Sequence, residues 1–108
     1  MLILVFYCPD SHVEAVKAAV FAAGAGRIGA YDQCCWQTLG RGQFRALDGA
    51  NPAIGSQGVL EHVDEWRVEL VLEAGRVEDV RVALLKSHPY ETPAFCFTEM
   101  VGFGDLRS

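Results

Sequence analysis

His88 and Glu91 stand three residues apart in the run Ser87-His88-Pro89-Tyr90-Glu91-Thr92-Pro93. An imidazole and a carboxylate so close in sequence supply either metal ligands or a proton donor and acceptor. The two prolines stiffen the same run, so a rigid corner whose Tyr90 hydroxyl satisfies backbone groups is the plainer reading. His88 would follow a helix C-terminus, whose carbonyls favour a protonated ring. Further potential ligands are His12, His62, Asp64, Glu65 and the cysteines at 8, 34, 35 and 96. None of these shows the close pairing of a zinc site. Cys34 and Cys35 are neighbours on an expected strand and would point to opposite faces. The cysteines lie in strand-like apolar runs without a C-x-x-C pair, which reads as buried free thiols in a reducing compartment.

Gly24-Ala25-Gly26-Arg27-Ile28-Gly29 fits the pattern G-x-G-x-x-G literally. In a dinucleotide site the pattern follows a strand and opens a helix, so that pyrophosphate meets a helix N-terminus. Here it follows a helix and opens a strand. Two readings stand: a helix cap and turn, or a backbone nest holding an anion beside Arg27. No G-x-S-x-G elbow is present, and Glu61, Asp64 and Glu65 read as a solvated acidic face.

The elements that must position these groups follow from apolar spacing. Leu2–Cys8 is apolar at both parities and reads as a central strand. Ser11 and Glu14 have the spacing of a capping box for a helix over about 12–23, with Val13, Val16, Val20 and Ala23 on one face and Gly24 as its stop. Tyr31–Thr38 predicts a strand that Gly40-Arg41-Gly42 turns into a short return at Gln43–Ala46. Leu47–Gly58 has no periodicity and predicts a long loop, functional or mobile. Glu65–Glu73 alternates as a half-buried strand. Val77, Val80, Leu84 and Leu85 mark a second helix ending before Pro89, and Ala94–Val101 a last strand. The order β-α-β-(β)-β-α-β is that of an α+β, ferredoxin-like (split βαβ) fold, with both helices on one face of an antiparallel sheet. Ile3, Val5 and Tyr7 would then leave a second apolar face at the sheet centre. Self-association covers it most economically; the 47–60 loop or the C-terminal tail is the alternative cover.

The 108 residues predict one domain over 1–108, and 51% hydrophobic with 21% charged residues exclude a disordered chain. Fourteen acidic against nine basic residues, net −5, argue against nucleic acid or a polybasic membrane-surface role. Leu2–Cys8 falls far short of the roughly 20 residues that span a bilayer and lacks the flanks of a signal peptide, so a cytoplasmic protein is expected.

Ser87–Pro93 resembles the segment before the last strand of the CutA proteins, small trimeric ferredoxin-like proteins linked to divalent-cation tolerance. The chain resembles more closely the PII/CutA-like domain inserted in bacterial NIF-three-like (YqfO-like) proteins, and its stand-alone relatives. The matches are Pro9, AGAGRIGAYDQC at Ala23–Cys34, GRGQFR at Gly40–Arg45, GANPAIG at Gly49–Gly55, Glu65, and HPYE at His88–Glu91. They run in order over almost the whole chain; Ala30 stands where the family often has Asn. The resemblance implies a PII/CutA-like fold, oligomerisation, and the label of type 2 GTP cyclohydrolase homologue. Flanking domains build the di-metal centre of the full-length family, so neither that centre nor a hydrolase activity is implied for this stretch. Its implied role is assembly or regulation.

The first functional expectation is therefore a non-enzymatic homo-oligomer, trimer or dimer, that binds a small anionic ligand or a protein partner. Its binding residues would be Gly24, Gly26, Arg27, Gly29, Tyr31, Asn51, Gly55, Glu65 and Tyr90. The site would lie where the 24–29 turn, the 49–55 loop and the 88–91 corner converge, with both helix-to-strand connections at comparable sheet ends. The second expectation is a divalent-metal protein holding zinc or copper through His88, Glu91 and Cys34 at a subunit boundary. The third is an enzyme using Glu65, His88 or Glu91.

Overall fold

A computed structural model describes residues 1–102. Its elements are β1 (Leu2–Pro9), α1 (Val13–Ala22), β2 (Trp36–Arg45), β3 (Leu60–Leu72), a 3-10 turn (Ala74–Arg76), α2 (Val77–Ser87) and β4 (Phe95–Glu99). They form a four-stranded antiparallel sheet in the order β2-β3-β1-β4, the α+β arrangement expected. β1 is central because both its faces are apolar, and it pairs on both edges. Leu4, Phe6 and Cys8 face the helices, opposite Leu70, Val68 and Trp66 of β3. Val13, Val16 and Val20 of α1 and Val80 and Leu84 of α2 close over them as one buried cluster. Phe6 is wholly buried. Burying a side chain of that size contributes on the order of 1.5–3 kcal/mol.

The ladder registers show where the sheet narrows. Pro9, the last residue of β1, pairs with Glu65, and Glu65 pairs with Gly40. The ten pairs between β2 and β3 run on to Arg45 and Leu60, so Arg41–Arg45 and Leu60–Asp64 form a two-stranded ribbon beyond β1. The Gly40-Arg41-Gly42 turn and the separate return strand are therefore not formed: β2 is one continuous strand through both glycines. Gly42 is needed for another reason. A Cβ there would collide with the Glu65 carboxylate, which lies across it. β3 also begins five residues earlier than expected, and residues 31–35 precede β2 outside any strand.

Two further expectations fail locally. α1 is capped by His12 without a side-chain bond, and Ser11 Oγ lies 2.8 Å from His12 Nδ1 instead of reaching the helix amides. The helix starts one residue later than a Ser11 cap requires, which puts the hydroxyl out of reach. Its stop is as expected: Gly24 has φ 108° and its N–H donates to the Phe21 carbonyl. Of the four cysteines only Cys8 is buried; Cys34 is half-buried and Cys35 and Cys96 are exposed. Cys34 and Cys35 lie in the connection before β2, outside the buried cluster, and Cys96 faces away from the helices, paired with Val5.

That outer face carries Ile3, Val5 and Tyr7 beside Val71, Glu69 and Arg67. Val5 and Val71 are shielded by their neighbours, whereas Trp36, opposite Glu69, is 62% exposed. Neither helix covers this face. The 46–58 loop meets it across a cavity at Tyr7, and the tail beyond 102 lies outside the described residues.

Candidate functional site

The site is built on the corner after α2. Pro89 disfavours helical geometry at His88, which takes an extended ψ of 136° while its N–H closes the helix on the Leu84 carbonyl. The ring is thereby carried inward; only 7% of His88 is exposed. Its Nδ1 accepts the Tyr90 N–H at 3.1 Å, so it bears no proton. The proton is on Nε2, which donates to the Tyr7 carbonyl at 2.6 Å. Both ring nitrogens are thus committed to backbone and the imidazole is neutral. Burial pushes its pKa below the ordinary value, against the opposing pull of the Tyr7 carbonyl and the Glu65 charge. The expected protonation by helix carbonyls is not found: Nδ1 is occupied as an acceptor, and burial disfavours the charged ring.

Tyr90 stacks obliquely on His88, with ring centroids 4.9 Å apart, and donates its hydroxyl to Glu65 Oε2 at 2.9 Å. Burial and then that carboxylate raise its pKa, so it stays a phenol. The next residue, Glu91, accepts the Asn51 N–H at 3.2 Å and ties the long loop to the corner. The loop is pinched at its neck, where Ala46 bridges Gln57 and the Gly58 N–H donates to the Ala46 carbonyl. Between loop, ribbon and corner lies a cavity of about 390 Å³. Its apolar walls include Tyr7, Phe44, Pro52, Ile54 and Tyr90; Glu65 and Glu91 are the charged residues lining it. Asn51 and Gly55 flank it: Gly55, with φ 76°, turns the loop where a Cβ would strike the Glu61 side chain.

The structure divides the predicted site residues into two groups. Asn51, Gly55, Glu65, His88, Tyr90 and Glu91 come together. Gly24, Gly26, Arg27, Gly29, Tyr31 and Cys34 lie at the other end of the sheet. There the Gly26 N–H donates to Val71, and the Cys34 N–H to Gly26. The expected convergence of all three segments is therefore corrected: α1 returns the chain to the end where β1 begins, and α2 delivers it to the end where β1 stops. The eight residues of β1 separate these ends by roughly 23 Å at about 3.3 Å per residue. The amides of Gly24, Ala25, Gly26 and Ile28 all donate to protein carbonyls, which makes the glycine run a helix stop and turn and withdraws those donors from any anion. Tyr31 is 75% exposed. His88, Glu91 and Cys34 do not meet within one chain, and among the described residues no three His, Cys, Asp or Glu side chains gather as for a metal ion.

Phe44, Tyr7 and Ile54 are site residues that the sequence reading missed. Phe44 falls in the predicted hairpin return at Gln43–Ala46. The one available signal was parity: Phe44, Glu65 and Tyr7 share the outer face once β2 is taken as unbroken. Cys8 lies beneath on the helix face, where burial and then Glu65 push its thiol up to about 12 and keep it protonated and inert.

No family model matches the chain. It is 55% identical over 91 residues to the GTP cyclohydrolase 1 type 2 homolog of Mycobacterium tuberculosis, covering 84% of this chain and 24% of that protein. The homolog from Halalkalibacterium halodurans is 40% identical over 102 residues, covering 94% of this chain and 27% of its own. The chain thus spans about a quarter of the length of the curated relatives it matches. Among solved structures, a Bacillus cereus protein related to NIF3 superposes with a TM-score of 0.80 at 33% identity, over 94% of this chain and 26% of that one. The PII-like protein CutA from Nostoc sp. PCC 7120 superposes with a TM-score of 0.68 at 17% identity, over 99% of this chain and 88% of that one, which speaks to the fold alone. Among the described residues no helix is long and apolar enough to cross a membrane. The chain accordingly has the PII/CutA-like fold and is homologous to a quarter-length segment of the NIF3-related GTP cyclohydrolase 1 type 2 homologs.

Proposed function

We infer that this chain is a non-enzymatic, homo-oligomeric PII/CutA-like module of the cytoplasm with a regulatory role, binding a small ligand between its loop and corner. The observation that carries this reading is the cavity of about 390 Å³, a volume suited to a small molecule, closed on one side by a loop tethered to Glu91. The groups around it suit holding rather than turnover. His88 has both nitrogens engaged and Tyr90 is bonded to Glu65. The cyclohydrolase label belongs to proteins about four times as long as this chain, and a hydrolase role is not part of the reading.

Oligomerisation is supported by the uncovered outer face with exposed Trp36. Native mass spectrometry of the full chain should show a metal-free oligomer that Trp36→Glu dissociates. Uptake of about one zinc or copper ion per subunit, lost in His88→Ala, would favour the alternative of a divalent-metal protein using His88 and Glu91. Ligand binding is tested with tryptophol, a neutral indole of suitable size. Calorimetric titration should detect it in the parent chain and not in Ala50→Trp, where the new side chain fills the cavity. Failure of tryptophol and of its amine and carboxylate analogues alike to bind removes the small-ligand reading.

A further inference from the structure

The cavity walls also discriminate by charge. Glu65 and Glu91 line it, with no lysine or arginine among the lining residues. One oxygen of each carboxylate is taken, Glu65 Oε2 by the Tyr90 hydroxyl and Glu91 Oε1 by the Asn51 N–H. Among the described residues the other oxygen of each makes no protein hydrogen bond and retains its accepting capacity. Arg41 and Arg67 line a neighbouring hollow that shares Tyr7 and Glu65. Arg67 is already spent, donating to Glu69 and to the Tyr7 hydroxyl.

Three ligand chemistries can be weighed against these walls. A small anion would meet two carboxylates in an apolar recess with no cation among its lining residues, a costly burial. A bare divalent ion would find only two carboxylates among mostly apolar walls, fewer oxygen ligands than such ions take. A cation carried on an apolar body satisfies every part. Its N–H groups donate to the carboxylates, and its body replaces water against Pro52 and Ile54. Phe44 and Tyr90 stand with centroids 6.3 Å apart and planes inclined at 56°, so two rings of different orientation bound one space.

Resting on the small-ligand reading above, we propose that the cavity selects an organic cation: an ammonium or guanidinium group on an aromatic or branched aliphatic body, its head toward Glu65 and Glu91. The charge preference comes from these two residues, and Gly42 is the position that lets Glu65 lie where it does.

The test uses three probes of nearly one shape on the full chain at pH 7.5 and low salt: tryptamine (cation), tryptophol (neutral) and indole-3-propionate (anion). Calorimetry should find tryptamine about tenfold tighter than tryptophol and indole-3-propionate the weakest. Glu65→Gln and Glu91→Gln should each narrow the gap between tryptamine and tryptophol. Ala50→Trp should abolish binding of all three. Equal affinities that Ala50→Trp abolishes would overturn the charge inference and leave the small-ligand reading standing; so would tighter binding of the anion. Absence of binding by any probe at millimolar concentration would remove both.

Discussion

His88→Ala is the substitution that most sharply probes the corner. Two backbone groups depend on the ring, the Tyr7 carbonyl and the Tyr90 N–H, and both are left without a partner when it is removed. An orphaned buried polar group costs about 1–3 kcal/mol, and the vacated space adds to that. With 7% of His88 exposed, little water reaches in to compensate, so a loss of about 3–5 kcal/mol is expected. That is a large share of the 5–15 kcal/mol that holds a typical domain. At about 4–8 °C per kcal/mol for a domain near this size, the melting temperature falls by roughly 12–40 °C. Thermal melts followed by circular dichroism at pH 7.5 give the number directly.

The same ring makes a second statement, in pH. Because burial lowers its folded pKa below the unfolded value near 6.5, the unfolded chain takes up the proton first. Its contribution is therefore fully present above pH 6.5 and is lost as pH falls through the lower folded pKa. His88→Gln keeps a donor but does not titrate, so its melting temperature should fall less than the parent's between pH 7.5 and 5. A His88→Ala loss below about 1 kcal/mol, or parallel pH profiles for the parent and His88→Gln, would refute the clamp.

Other substitutions test other layers of the same chain. Gly42→Ala places a methyl where the Glu65 carboxylate lies, and a flexible side-chain end can swing away. Stability should change by less than about 1 kcal/mol, the usual scale of a compatible Gly→Ala change, while tryptamine affinity drops several-fold by calorimetry. Phe6→Ala empties a fully buried position and should cost about 3–5 kcal/mol in urea unfolding. A thiol reagent at pH 8 should label Cys35 and Cys96 at once and Cys8 only after denaturation, since Cys8 is buried with its thiol raised to about 12. Rapid labelling of Cys8 in the folded chain would contradict its place in the core.

The sequence made the scaffold legible because burial leaves periodic marks. Apolar residues at both parities of Leu2–Cys8 declared a central strand, and the valines at 13, 16 and 20 declared a helix face. The errors arose where one residue type serves two ends. Gly40 and Gly42 read as a turn, yet neither adopts the left-handed region, and both pair in the ladder with β3. Ser11 and Glu14 had the spacing of a cap, but spacing does not say which residue the helix begins on. The site was legible in part. The segments 49–55 and 88–91 and the residue Glu65 do assemble, because each belongs to the end of the sheet where β1 stops. The 24–29 run was drawn in by its glycines, and only the direction of the helices shows that it lies at the other end. Phe44 and Tyr7 stayed hidden because their shared face depends on a strand that two glycines seemed to break.

The neck at Ala46 and Gly58 has a consequence for how such a domain can vary. The chain leaves β2 and re-enters β3 through one narrow gate, held by the Gly58 N–H on the Ala46 carbonyl and the bridge to Gln57. Everything from 47 to 56 hangs outside the pairing register, so replacing it with a segment of other length or chemistry need not shift a single rung of the ladder. Loop closure at a fixed neck grows in cost only slowly with added residues. The recess can thus be re-lined from the loop side while Glu65, Tyr90 and the buried imidazole stay in place, which separates the evolution of ligand choice from that of the fold.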